Sequence, residues 1–581
     1  MKHYRKIRLL TVLILLGLLT FSCQDEINEE NLNSLVEEKQ AEDESNPIQL
    51  GEKLENPYSV SNMRKALDNL TGGNAKVTSV NGAKISSINN TTSEELITAT
   101  HYYIKFKPKT EEELDLIKQD TLLYFFDYPL DHVAIEGDGT YRDPEVADDQ
   151  PTYQYTYATI DHPLPETVKY EILEELFIPQ EEEDEEETND LLSEEEQVAY
   201  QQKLSTVKKA VTLKIENGIN NDILIALEEE ALRITGNLEE EQIDPNEEKT
   251  TGVQGAKRWR RPSKWTPEGY IRVYDTTLKK WIGLEGVKVR VGRWFTWRHG
   301  FVNSNGYYST ARFRRSVRYK MDWERHHFAL RSGFWASAQY TGPYRRGTWD
   351  WMIGNGDRHQ YYATIFRAAH HYYYKDIKGL RRPPQNTFWK SQMRIRASRS
   401  QDAGSGGSHA GVRRVWGLGD GIYIYTYGRS SSQTYATTIH ELAHASHWNF
   451  QRINHNVSKL ILAESWARGV QWELTRMVYT NYVPQYSTLG YTGFVQDLID
   501  RAGITKSTNL YYDKAEGKTL RRPTGFKNYT DNVSGFTIRQ LEDALKGINT
   551  FNGWRNQIKS INPNNPTKEN IDETYNFWNN Q

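Results

Sequence analysis

The chain has 581 residues, a formal net charge of −5, 26% charged and 37% hydrophobic residues, and a single cysteine. This length accommodates two to four domains with substantial cores. A lone cysteine excludes an internal disulfide, and beyond the first twenty residues no stretch is long and apolar enough to span a bilayer.

In chain order, Lys2, Arg5, Lys6 and Arg8 precede an apolar run from Leu9 to Leu19, and Thr20-Phe21-Ser22-Cys23 follows. A basic start, a short apolar core and small residues before a break predict a secretory signal over residues 1–23. With the chain's one cysteine at its end, this segment resembles a bacterial lipoprotein signal, although Leu19 stands four places before the cysteine instead of three. Gln24-Asp25-Glu26 is similar to the acidic export signal of surface lipoproteins in the Bacteroidetes. The resemblance implies lipidation of Cys23, a membrane contact through that anchor, and exposure at the surface of a bacterial outer membrane.

Residues 24–54 are acidic and polar and read as a flexible tether. Residues 55–250 mix signals of an α+β domain, with strands expected over 102–106 and 122–126 and a helix over 111–117. Residues 181–187 are seven consecutive acids, with more at Glu194, Glu195 and Glu196. Such a block repels itself and reads as a solvated loop over 181–196. A basic stretch follows, with Lys257, Arg258, Arg260, Arg261 and Lys264. It lacks a recognition motif, so no nucleic-acid partner is expected; docking of the acidic loop onto it is the alternative. The N-terminal domain is also a candidate cover for an active site.

Residues 266–345 read as all-β: Ile271 and Val273 alternate with polar neighbours, as do Val287, Val289 and Val291, and Asn305-Gly306 marks a turn. Gly269-Tyr270-Ile271, Gly286-Val287-Lys288-Val289 and Asn303-Ser304-Asn305-Gly306-Tyr307 resemble the carboxypeptidase regulatory-like, transthyretin-type β-sandwich. That resemblance implies a module that spaces or orients a catalytic domain without contributing chemistry.

The last region, 346–581, is expected to be mainly helical, with helices near 364–378 and 538–548. The segment 401–407 is rich in Gly and Ser and reads as mobile; its glycines lack phosphate-loop spacing. Residues 421–428 are β-branched and aromatic between glycines and read as an edge strand. Ile422, Tyr423 and Ile424 are its candidates for pairing with an extended substrate. A polar loop over 429–433 then leads to His440-Glu441-Leu442-Ala443-His444 on a helix.

Histidines four residues apart on a helix share a face and can hold one zinc ion at roughly 2.0–2.1 Å. Glu441, one position round, is placed to take a proton from a metal-bound water. The helix is expected to end near Arg452 and a second to start near Ser458, with an apolar stripe of Ala463, Trp466, Ala467, Val470, Leu474 and Met477. If the second helix folds back, Glu464 at the edge of that stripe meets the two histidines. Two His and one Glu leave a fourth position open, as catalytic zinc sites require.

His440-Glu441-x-x-His444 with Glu464-Ser465-Trp466-Ala467 downstream resembles the gluzincin zinc metallopeptidases. The resemblance implies Zn2+ held by His440, His444 and Glu464, Glu441 as general base, and a peptide or protein substrate, glycoproteins included. The metzincin pattern does not fit, because His447 and Phe450 stand where it wants Gly and His or Asp. Glu473 is a weaker ligand candidate; His447, His409 and His455 read as structural or solvated. No residue is singled out to stabilise the oxyanion; among the thirty-six tyrosines, Tyr529 is the one guess. The competing class is a non-catalytic surface binder of glycans or proteins with a degenerate zinc site, for which the abundant Trp and Tyr would form stacking platforms.

Overall fold

The computed structural model describes residues 48–71, 79–80, 83–84, 92–120, 122–179, 221–238, 263–332, 337–386, 392–398, 407–409, 421–451, 457–484, 486, 490–506, 510–513, 518–521 and 529–579. Cys23 and the signal, nearly all of the acidic tether, the acidic loop, the basic residues 257–261 and the connection 452–456 lie outside them. The protein is mixed α and β, with several antiparallel sheets and helices gathered toward its C-terminal end.

The N-terminal part forms as its periodicity predicts. Strand His101–Phe106 is central in a three-stranded antiparallel sheet, flanked by Gln154–Thr159 and Tyr170–Leu176. Helix Glu111–Lys118 starts at Thr110, whose side chain accepts from the Glu113 N–H, and Glu111, Glu112 and Glu113 favour its positive end. Residues 122–126 do not form the expected strand; Phe126 contributes an isolated bridge to Tyr155. Buried Phe126 packs instead on Trp297 from the following region, ring centroids 4.9 Å apart. Tertiary packing outweighed a β-prone run there.

Residues 268–345 supply most of two antiparallel sheets. In one, Glu268–Asp275 is flanked by Lys280–Gly283 and Tyr307–Ser309. In the other, the order is Arg298–Phe301, Lys288–Gly292, Val317–Asp322, Gln339–Arg345. Ile271, Val273, Val287, Val289, Val291, Tyr319 and Met321 point into one core, the alternation that half-buried strands require.

The boundary expected at residue 345 is crossed in both directions. Trp351–Ile353 joins the first sheet, in parallel with Glu268–Asp275. Glu324–Arg325 and Phe328–Arg331 leave the β-region and enter a five-stranded sheet with Met393–Ala397, Gly421–Ile424 and Gly407–His409. Gly137–Asp138 from the N-terminal part extends the second sheet. Among the described residues the last region is mainly helical, as expected, but a mixed sheet also runs through it. A single core spans Ile271 to Trp578, and a second takes Trp294, Phe295 and Trp297 into the N-terminal part. Gly286, at φ +85°, sits where a Cβ would strike the His370 ring at 2.2 Å. Glycine is what lets the β-region approach helix Arg358–Tyr374 so closely.

Met393, Ile395, Ala397, Ile422 and Ile424 belong to the same core as the helices. Arg394 and Arg396 point to the other face, where Arg394 pairs with Asp115 and Glu111, and Arg396 with Glu111 at 2.9 Å. Helix Glu111–Lys118 thus docks behind the sheet, opposite the helical face.

Candidate metal centre

Helix Ser431–Gln451 carries the HELAH motif, and helix Val457–Thr475 returns against it. Ala436, Ile439, Leu442, Ala443 and Ala445 are buried with little side-chain bulk between neighbours, so this helix fits among Arg358–Tyr374, the return helix and the sheet. Its start is held from outside. Thr276 Oγ1 accepts from the Ser431 N–H at 2.9 Å and Thr277 Oγ1 from the Ser432 N–H at 3.0 Å. Ser431 Oγ accepts in turn from the Thr276 N–H at 2.9 Å. The turn after strand Glu268–Asp275 therefore adds a cap from a distant part of the chain to the local one, in which Ser430 Oγ accepts from the Gln433 N–H at 3.4 Å and Gln433 Oε1 accepts from the Ser430 N–H at 3.2 Å.

At the middle of the helix, His440 Nε2 lies 3.1 Å from Glu464 Oε2 and 3.1 Å from His444 Nε2, and His444 Nε2 lies 3.2 Å from Glu464 Oε2. All three residues are buried. A triangle of this kind suits hydrogen bonding poorly, because an N–H aimed at one corner points away from the other. It suits a cation well: donors at 2.0–2.1 Å in tetrahedral arrangement stand roughly 3.3 Å apart. Two imidazole nitrogens and one carboxylate oxygen form a donor set that zinc accepts. Glu441 is 1% exposed, and its Oε2 has no hydrogen-bond partner among the described residues.

Burial pushes the Glu441 carboxyl up to about 8 and the His440 imidazole down to about 4. For Glu464 burial also opposes charge, but His444 and His440 overcome it and hold the carboxyl well below the usual range. His444 is raised in spite of burial, because Glu464 faces it. The pocket thus favours the charged form of Glu464, which faces the imidazoles, and opposes it for Glu441.

The return helix places Glu464 more deeply than expected: at 1% exposed it is inside the stripe and not at its edge, whereas Met477 at the far end is exposed. His447 is buried against Phe450 and Trp466, with its Nε2 2.6 Å from Gln451 Nε2, and stays out of the trio. Glu473 is tied to Lys378 and to Arg476. Tyr529 is not an oxyanion group here; its hydroxyl contacts Thr574 and lies 3.4 Å from Asp531, and its ring stacks on Phe577.

Strand Gly421–Ile424 is also not the edge. Ile422, Tyr423 and Ile424 pair in parallel with Ile395, Arg396 and Ala397 on one side, and antiparallel with residues 407–409 on the other. The edge is Gly407–His409. Its Gly/Ser composition concealed a strand because backbone pairing to a preformed neighbour demands little of side chains.

Two residues that the sequence did not single out border the trio. The Tyr491 ring lies 6.0 Å from that of His440, and Arg468 stands over Tyr491 at 4.7 Å. Ser465 sets this arrangement, donating to the Gly490 carbonyl at 3.1 Å and meeting Thr492 Oγ1 at 2.6 Å, so the segment carrying Tyr491 is pinned beside Glu464. The one available signal was spacing: Arg468 is four residues after Glu464, on the same helical face. Neither a scan against protein-family models nor a search of curated proteins finds a match to this chain.

Proposed function

We propose that this chain is a zinc-dependent peptidase of gluzincin type, anchored through lipidated Cys23 to the bacterial outer membrane and exposed at the cell surface. The single observation that carries the catalytic part is the convergence of His440, His444 and Glu464 within 3.2 Å, with buried Glu441 beside them. The anchor rests on the N-terminal sequence; no helix among the described residues is long and apolar enough to cross a membrane.

Zinc, when bound, supplies Lewis acidity toward a scissile carbonyl and a water molecule. His440, His444 and Glu464 are the residues that hold it. Glu441 accepts a proton from the attacking water and delivers it to the leaving amine nitrogen, so hydroxide adds to the carbonyl carbon as the C–N bond breaks. Burial of the trio excludes bulk water from that transfer. The outer side of Gly407–His409 carries no strand neighbour among the described residues and offers backbone groups to an extended peptide.

The test is elemental analysis joined to proteolysis of a mixed peptide library. One zinc per chain and chelator-sensitive cleavage are expected. Glu441→Gln retains the metal and loses about 10²–10⁴-fold in turnover, whereas His440→Ala loses both. Wild-type-like turnover by Glu441→Gln ends the proposal. Glycan or protein binding in a zinc-free chain, indifferent to chelators, would favour a surface binder instead.

A further inference from the structure

We propose that Arg468 anchors a carboxylate of the substrate, making this a site for peptides that present an anionic group near the scissile bond; the inference rests on the peptidase reading above. Arg468 follows Glu464 by one helical turn and so faces the same side of the return helix. It is half-buried, as is Tyr491, while the trio and Glu441 are buried. Its Nη1 donates to Gln471 Oε1 at 2.8 Å, and Gln471 Nε2 donates to the Tyr482 hydroxyl at 2.8 Å. The guanidinium lies over the Tyr491 ring, which in turn neighbours His440.

Each of these contacts orients the group, and none neutralises it. Among the described residues no carboxylate pairs with Arg468, and its buried Nε has no hydrogen-bond partner. Other enclosed guanidinium groups are held in both ways: Arg290 pairs with Asp322, Arg367 with Asp275 at 2.8 Å and Arg394 with Asp115, whereas Arg318 and Arg382 donate to backbone carbonyls. A cation withdrawn from water and held by neutral groups retains its demand for an anion. Its planar fork fits a carboxylate with two parallel hydrogen bonds.

Position decides which anion. The Tyr491 ring neighbours both the guanidinium, 4.7 Å from its centroid, and the His440 ring, 6.0 Å away, so Arg468 sits beside the trio and is not part of it. A peptide advances roughly 3.3–3.6 Å per residue, so the recognised group belongs to a residue next to the cleaved bond and not to the bond itself. Two sources share this chemistry: the free α-carboxylate at a peptide C-terminus and an Asp or Glu side chain.

The experiment compares one short peptide as the C-terminal acid, as the amide, and as the amide with Glu placed beside the scissile bond, against wild type, Arg468→Met and Arg468→Lys. Arg468→Met is expected to raise KM for the carboxylate-bearing peptides by about 10–100-fold, the worth of a charge-assisted pair. The KM for the plain amide rises much less than for the carboxylate-bearing peptides, and Arg468→Lys falls between. Preference for the acid assigns the C-terminal carboxylate, and preference for the Glu peptide assigns the side chain. Equal losses on acid, amide and Glu peptides would overturn the proposal, as would a wild type that does not distinguish them. Calorimetric binding of the same peptides to chelator-treated wild type and Arg468→Met keeps the two ideas apart. Absence of zinc and turnover defeats the peptidase reading, and absence of carboxylate-dependent binding defeats the anchor.

Discussion

Glu464 is the residue on which the centre turns. It comes from a different helix than the histidines, and it alone brings a full negative charge to the triangle of donors. Glu464→Gln retains shape and removes that charge. Zinc affinity is expected to fall by at least the ~10–100-fold typical of losing a supporting group beyond the ligands, measured by competition with a chromogenic chelator. Retained affinity would show that Glu464 is not a ligand. Ser465, its neighbour, tests positioning: Ser465→Ala frees the Gly490–Thr492 segment. Buried Thr492 then loses a hydroxyl partner, at a cost of about 1–3 kcal/mol in denaturant unfolding. Metal content is unchanged if the role is confined to placing Tyr491.

Among elements, the HELAH helix takes part of its cap from elsewhere. Thr276 and Thr277 satisfy the first N–H groups of the helix across more than 150 residues of chain. Behind them Asp275 is buried, paired with Arg367 and accepting from the Tyr479 hydroxyl at 2.7 Å. The Tyr435 hydroxyl, on the HELAH helix itself, lies 2.5 Å from His371 Nδ1. The β-region is therefore built into the frame of the HELAH helix and is not a detached spacer. Thr277→Ala is expected to destabilise by about 0.5–2 kcal/mol, the usual value of an N-cap, read from a urea transition. An unchanged midpoint would mean that Thr277 does not cap the helix in solution.

At the scale of the whole molecule, the N-terminal part docks on the face of the five-stranded sheet away from the HELAH helix, through Glu111 and Asp115 on Arg394 and Arg396. That position gives helix Glu111–Lys118 a stabilising role and argues against its acting as a plug over the trio. Lys118 ends the same helix and reaches Ser337 Oγ at 3.1 Å. Burial lowers its amine to about 7, with the Arg331 charge adding to the effect. The unfolded chain, with an ordinary lysine, binds more protons than the folded one between about pH 7 and 10.5. Stability contributed through this site therefore rises with pH across that window. Lys118→Met is expected to raise the melting temperature most at and below neutral pH, with the gain shrinking toward pH 9–10; a pH-independent difference would remove the buried amine from the account.

Much of the candidate centre was legible because it is local. A histidine pair four residues apart states its own geometry once a helix forms, and the limits near Arg452 and Ser458 lie close to the observed helices, Ser431–Gln451 and Val457–Thr475. The alternation in Ile271, Val273, Val287, Val289 and Val291 likewise marked buried strand faces without any partner in view. What the sequence by itself determined about this protein is thus the set of elements whose period is carried by their own side chains, and the pair of imidazoles. Tertiary structure alone decided which strand forms the sheet edge, the Thr276 and Thr277 part of the cap on the HELAH helix, the sharing of strands across residue 345, and the seating of Arg468 over Tyr491. Each of these joins groups far apart in the chain through backbone pairing or side-chain packing, and such contacts leave no periodic trace in either partner.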